Sequence, residues 1–174
     1  MNRKLKWGSA LIAVIALATL GYVIAGPYLA INGIRHLVAE KRGSELPLFV
    51  DFAELRASID PQIRERIARG ILARTGSSQK PQTIAEVVEL IGKPAIDAIA
   101  SPAGIDRLLV GDTLRPAGMA ANAPFDPLAS AQTRFESASL FTASVPNAQG
   151  KPLVFEFRRD GLSWKLTGLR LPEN

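Results

Sequence analysis

At 174 residues, 47% hydrophobic and 21% charged, the chain has room for one domain and an accessory segment. The absence of cysteine excludes disulfides, thiol catalysis, iron–sulfur ligation and a lipid-modified N-terminal cysteine. The net charge of +5 owes most of its excess to Arg3, Lys4 and Lys6, and no basic stripe interleaved with aromatics follows, so nucleic acid is not an expected partner.

The first element is the strongest. No charged residue occurs from Trp7 to Ile34, and Gly8 to Ala25 is almost wholly apolar. As a helix, about 18 residues span roughly 27 Å, close to the ~30 Å hydrocarbon core of a bilayer. Basic residues precede the run, which predicts an N-terminus in the cytoplasm and the remainder outside. Residues 1–27 are therefore read as a basic tip and a transmembrane anchor that Gly26-Pro27 ends. The competing reading is a cleaved signal peptide with Val23-Ile24-Ala25 at the cut, but its apolar region would exceed the usual ~7–15 residues. With the anchor retained, the expected home is the bacterial cytoplasmic membrane, with residues 28–174 forming one extracytoplasmic domain; cleavage would release that domain outside.

Tyr28 to Arg42 places Leu29, Ile31, Ile34, Leu37 and Val38 at helical spacing, with Gly43 as the stop. "LPLFVDFAELRASI" starts extended and turns helical after Asp51. Asp60-Pro61 carries the cap-then-proline signature of a helix start, with Ile63, Ile67, Ile71 and Leu72 as the buried face. "PQTIAEVVELIGKPAIDAIA" predicts a helix on Ile84, Val87, Val88 and Ile91, kinked or split by Pro94 near Gly92. Ser101-Pro102 opens a short helix through Ile105, Leu108 and Leu109. Residues 112–132 show little periodicity, which predicts an irregular, mobile loop.

Three strands follow: Phe135–Val145, Leu153–Arg159 and Leu162–Leu171. Asp160-Gly161 as a two-residue turn would pair Phe157 with Trp164, Phe155 with Leu166 and Glu156 with Lys165. One face of that hairpin is apolar, so helices must cover it. The expected fold is α+β: a transmembrane helix, then several helices on a three-stranded antiparallel meander.

Several stretches together resemble a bacterial family known as domain of unknown function 2939: the apolar start running into "GPYLAINGIRHLV", then "VDFAELRASI", "SPAGIDRLL" and the closing "FEFRRDGLSWKLTGLRLP". The resemblance implies a small envelope-associated protein and brings no catalytic residues. More loosely, helices followed by a meander ending in Asp-Gly…Trp-Lys look like the nuclear transport factor 2-like fold, although no strand pair is read among the helices.

Little chemistry is legible. His36, the only histidine, stands beside Arg35 with no second imidazole and no Gly-x-Ser-x-Gly motif to recruit it. Asp51, Glu54, Asp60, Asp97, Asp106 and Asp112 are scattered, and no phosphate or calcium loop is present. No catalytic, cofactor or metal residue is assigned. The densest basic run, from Arg56 to Arg74, reads as a solvated helix face. Its functional alternative is contact with anionic lipid headgroups by Arg64, Arg66 and Arg69, together with Arg3, Lys4 and Lys6. The leading expectation is a non-catalytic domain that binds an envelope protein partner or a small apolar ligand. A small hydrolase or isomerase, or a passive structural subunit, is the alternative.

Overall fold

The computed structural model describes residues 3–75, 81–111, 113–116, 118–120, 123 and 125–172, without the side chains of 3–13, 15–20, 75 and 81. Among these residues four α-helices, with a short 3-10 helix at Gly43–Leu48 between the first two, precede four strands: α1 Arg3–Ala39, α2 Phe52–Thr75, α3 Pro81–Ile99, α4 Pro102–Val110, then β1 Gln132–Ser137, β2 Leu140–Pro146, β3 Pro152–Asp160 and β4 Ser163–Arg170. The strands form one antiparallel meander in the order β1-β2-β3-β4. Its inner face carries Phe141, Ala143, Val145, Leu153, Phe155, Phe157, Trp164, Leu166 and Leu169, all buried, while Ser144, Val154, Glu156, Lys165 and Thr167 of the outer face stay partly exposed. Such alternation is what one covering layer produces.

The sheet has four strands rather than the three expected. Residues 135–145 lack any glycine or Asn-Gly turn signal, yet the chain reverses at Ala138-Ser139, where the Ser139 amide donates to the Ser137 hydroxyl. A serine side chain here does the work of a turn sequence. The second hairpin also differs. Asp160 pairs with Ser163 across Gly161-Leu162, placing Arg159 opposite Trp164, Arg158 opposite Lys165 and Phe157 opposite Leu166. A bulge beyond Phe157 then sets Phe155 opposite Leu169. Glu156 consequently pairs with Arg170, and Lys165 lies 3.9 Å from Asp160.

Three prolines expected at a helix end, a helix start and a kink or split lie inside helices. Pro27, Pro61 and Pro94 are interior to α1, α2 and α3. Asp51, not Asp60, caps α2: its carboxylate accepts from the amides of Ala53 and Glu54, both at 3.1 Å. α1 ends at Ala39 instead of Arg42, because Lys41 takes the left-handed conformation (φ 57°) and Arg42 donates its amide back to the Leu37 carbonyl. Ser101 does cap α4, accepting from Gly104 at 3.0 Å with Pro102 at the first helical position.

At Pro27 the reason for continuity is visible. Proline has no N–H for the carbonyl four residues back, that of Val23. The Trp164 indole Nε1–H donates to that carbonyl at 3.2 Å, and the ring lies flush on Gly26. Gly26 and Pro27 are buried, whereas Tyr22, Ile24 and Ala25 are exposed and Gly21 has open space around it. α1 thus leaves the body of the domain at about Val23. Beyond it, Ala30, Ile31, Ile34 and Leu37 fill the core over the sheet, joined by Leu46, Val50, Leu55 and Ile59. The cover over the aromatics is therefore α1 and the first half of α2. Ile63, Ile67 and Ile71, expected there, are only half-buried, and Leu72 and Ile91 are exposed.

β4 is the hub. Its Leu166 amide donates to Phe49 and its Leu166 carbonyl accepts from Asp51, so the segment before α2 closes that sheet edge. The Gln62 side chain then bonds the Leu169 carbonyl and the Leu171 amide, and Arg66 donates to the Pro172 carbonyl. Between α4 and β1, Leu114 and Leu128 are buried, Arg115 lies over the Phe125 ring at 5.1 Å, and Arg35 holds Asp126 at 2.7 Å. The described part of this segment has no regular secondary structure, as expected, and these contacts tie it to the domain.

Candidate functional site

Two clefts flank α3. The first lies between α2 and α3 and is charged: Arg56, Asp60, Arg64, Glu89, Lys93 and Asp97 line a space of about 410 Å³. Three carboxylates converge there, as an acid–base site requires, but each is bound by arginine. Arg56 holds Asp97 at 2.9 Å, and Arg64 bridges Asp60 and Glu89. The Arg64 hydrogen bond holds the Glu89 carboxyl below its ordinary range, and hydrogen bonds from Glu89 and then Asp60 push the Arg64 guanidinium up. A general acid needs the opposite shift. These ion pairs tie α2 to α3.

The second cleft opens between α3, α4 and the end of β4. Ala98, Ile99, Gly104, Leu108, Leu169 and Leu171 give it an apolar wall, Arg107 and Thr113 stand at its polar side, and its volume is about 250 Å³. It shares Leu108, Thr113 and Leu171 with a neighbouring space of about 370 Å³ that Arg66 and Lys151 border. Ser101 places it: the capped start of α4 turns Leu108 back toward the sheet, while the bulge in β4 sets Leu169 on the inner face. Apolar walls with a few polar groups at one side are the usual make-up of a small-ligand site.

The residues singled out from sequence fall elsewhere. His36 is exposed on α1 with Nε2 3.3 Å from Glu40 and lines neither cleft. Arg64 and Arg66 have the partners given above, and Arg69 lies 3.6 Å from Glu65. α2 runs from Leu166 of β4 toward Pro172, so these three arginines sit at the end of the domain opposite the exit of α1. The side chains of Arg3, Lys4 and Lys6 lie outside the described residues, as does Asp112. Among the described residues no three His, Cys, Asp or Glu side chains group as metal ligands, and no helix is long and apolar enough to cross a membrane. The apolar run of the expected anchor falls mostly on side chains outside that description, although its backbone is helical from Arg3.

A family model described as a protein of unknown function (DUF2939) matches residues 16–108, more than half of the chain. The chain belongs to this family. No curated protein and no solved structure matches it. The DUF2939 match runs from within α1 to α4 and stops before the sheet. The looser likeness to nuclear transport factor 2-like domains gains nothing from these comparisons, and all four strands follow the helices.

Proposed function

We infer that the chain is a single-pass protein of the bacterial cytoplasmic membrane, N-terminus inside, whose extracytoplasmic domain binds a small apolar ligand without catalysis. The observation that carries the anchored reading is the join at Val23–Pro27. Cleavage after Ala25 would discard the Val23 carbonyl that accepts from Trp164, and with it the last turn holding α1 on the sheet. A segment destined for removal has no reason to supply the acceptor for a buried indole of the domain. The apolar run at 8–25 and the basic residues before it supply the membrane partner and the orientation.

The binding reading rests on the cleft at Ile99, Leu108, Leu169 and Leu171. Arg107 beside it makes a short alkyl chain with an anionic head the best-matched ligand. Octanoate and octanol added to the full chain in nanodiscs test this by ligand-observed NMR. Saturation transfer to octanoate, reduced by Arg107→Gln and abolished by Leu108→Glu, is the expected result. Transfer that is equal for both ligands and unmoved by either substitution would reject the cleft. An alkaline wash and a reporter fused after Asn174 test the anchor, which requires retention in the membrane and activity only outside the cytoplasm.

A further inference from the structure

The end of the domain from which α1 emerges has an unusual surface. Two of the three hairpin turns, Ala138-Ser139 and Gly161-Leu162, lie here, because Trp164 sits just past the β3–β4 turn and covers Gly26. Phe135 and Phe141, which flank the first turn, stack edge-on against Trp164 at 6.0 and 6.5 Å. At the outermost point Leu162 is 62% exposed. Behind it Arg158 stands directly opposite Lys165, and Arg159 lies on the other face of the strand. Like charges across a strand pair are unfavourable. The acidic residues at this end, Glu136 and Asp160, already face Arg134 and Lys165 at 3.9 Å each. No hydrogen bond or ion pair of the Arg158 and Arg159 side chains occurs among the described residues.

The length of α1 adds an independent constraint. The domain grips the helix from Val23 onward, so the apolar segment left for a bilayer is residues 7–22. At the α-helical rise this spans about 24 Å, short of a hydrocarbon core of about 30 Å. A short span thins the bilayer around it or draws its flanks inward. The flanks here are the hairpin turns.

We propose that the two hairpin tips form a foot, with Leu162 in the interface and Arg158 and Arg159 on anionic phospholipid headgroups, which seats the domain on the bilayer beside α1. This rests on the membrane-anchored reading above. It moves the basic contact surface from Arg64, Arg66 and Arg69, at the far end, to the end from which the anchor leaves. Each arginine at an anionic surface shifts the seated population about fivefold.

The chain has no cysteine, so a single introduced thiol reports its own position. The full chain carrying Leu162→Cys, labelled with an environment-sensitive fluorophore, is placed in vesicles with 30% phosphatidylglycerol. Gln149→Cys, on the turn at the opposite end of the sheet, is the control. Expected are blue-shifted emission and quenching by headgroup-proximal spin-labelled lipid at 162 but not at 149. Neutral vesicles, or Arg158→Gln and Arg159→Gln, should reduce the quenching, each substitution by about fivefold in seated population. A water-exposed label at 162 in protein that survives alkaline wash would overturn the foot and leave the anchor standing. Quenching that ignores headgroup charge and both arginines would overturn the headgroup contact. Release of the protein into the wash would overturn the anchor and the foot with it.

Discussion

A single methyl group at Gly26 tests the join between α1 and the sheet. A Cβ there would sit 2.3 Å from Cδ1 and 2.7 Å from Nε1 of Trp164, so the indole must move. It has little room, because Phe135 and Phe141 stand against it. Overpacking of this kind costs about 1–3 kcal/mol. Displacing the indole also removes its bond to the Val23 carbonyl, about 1 kcal/mol net. Against this, alanine gains about 1 kcal/mol over glycine in a helix. Gly26→Ala should therefore destabilise the domain by about 1–3 kcal/mol. Gly21→Ala is the matched control: nothing lies within 4 Å of its Cβ, so only the helix gain remains. The assay is pulse proteolysis of the full chain across a urea series in detergent micelles. Opposite shifts of the two midpoints are expected. Equal midpoints would show that Trp164 does not hold α1 and would remove the main support for an uncleaved anchor.

Trp164→Ala should cost about 3–5 kcal/mol as a buried aromatic, whereas Lys165→Ala should cost at most about 1 kcal/mol; similar urea midpoints would refute the core assignment. Arg35→Ala should speed tryptic cleavage at Arg115 by freeing Asp126, and an unchanged rate would show that Leu114 and Leu128 suffice to hold the segment. Glu89 has a lowered pKa in the fold, so its contribution is present above the ordinary carboxylate range and is lost as pH falls through the folded value. Glu89→Gln should thus be slightly less stable than wild type near neutrality, with a gap that narrows as pH falls below the ordinary carboxylate range and closes below the folded value in acid titration; a gap unchanged at the acid limit would exclude this pair as the source.

The faces of the sheet were legible and the pairings were not. Moving the turn from Asp160-Gly161 to Gly161-Leu162 changes each partner up to the bulge by two residues, a shift that keeps every side chain on its own face, and the bulge moves the partners beyond it by one more. Phe155, Phe157, Trp164 and Leu166 were therefore readable as core even though Trp164 meets Arg159 rather than Phe157. The helix boundaries failed for a different reason. Pro27 reads locally as a stop, and what overrides it is an indole that reaches the Val23 carbonyl from 141 residues further along the chain. The charged cleft shows the same limit: Asp60 and Arg64 are one helical turn apart and visible as a pair, but Glu89 joins them only once α3 packs on α2. Ser101-Pro102 announced α4, and Leu108 belonged to its apolar stripe. Nothing local said that Leu169 and Leu171 would stand across a cleft from it.

The first and last elements of this chain complete one another. α1 emerges early in synthesis, yet its Val23 carbonyl, and the partners of Phe49, Asp51 and Gln62, all wait for β4. At roughly 5–20 residues per second the chain between them takes on the order of ten seconds to make. During that interval Ile34, Val50, Leu55 and Ile59 have no sheet to lie against. A chain cut short before Ser163 would lack these bonds and the β4 side chains Trp164, Leu166 and Leu169 that those residues pack with in the core.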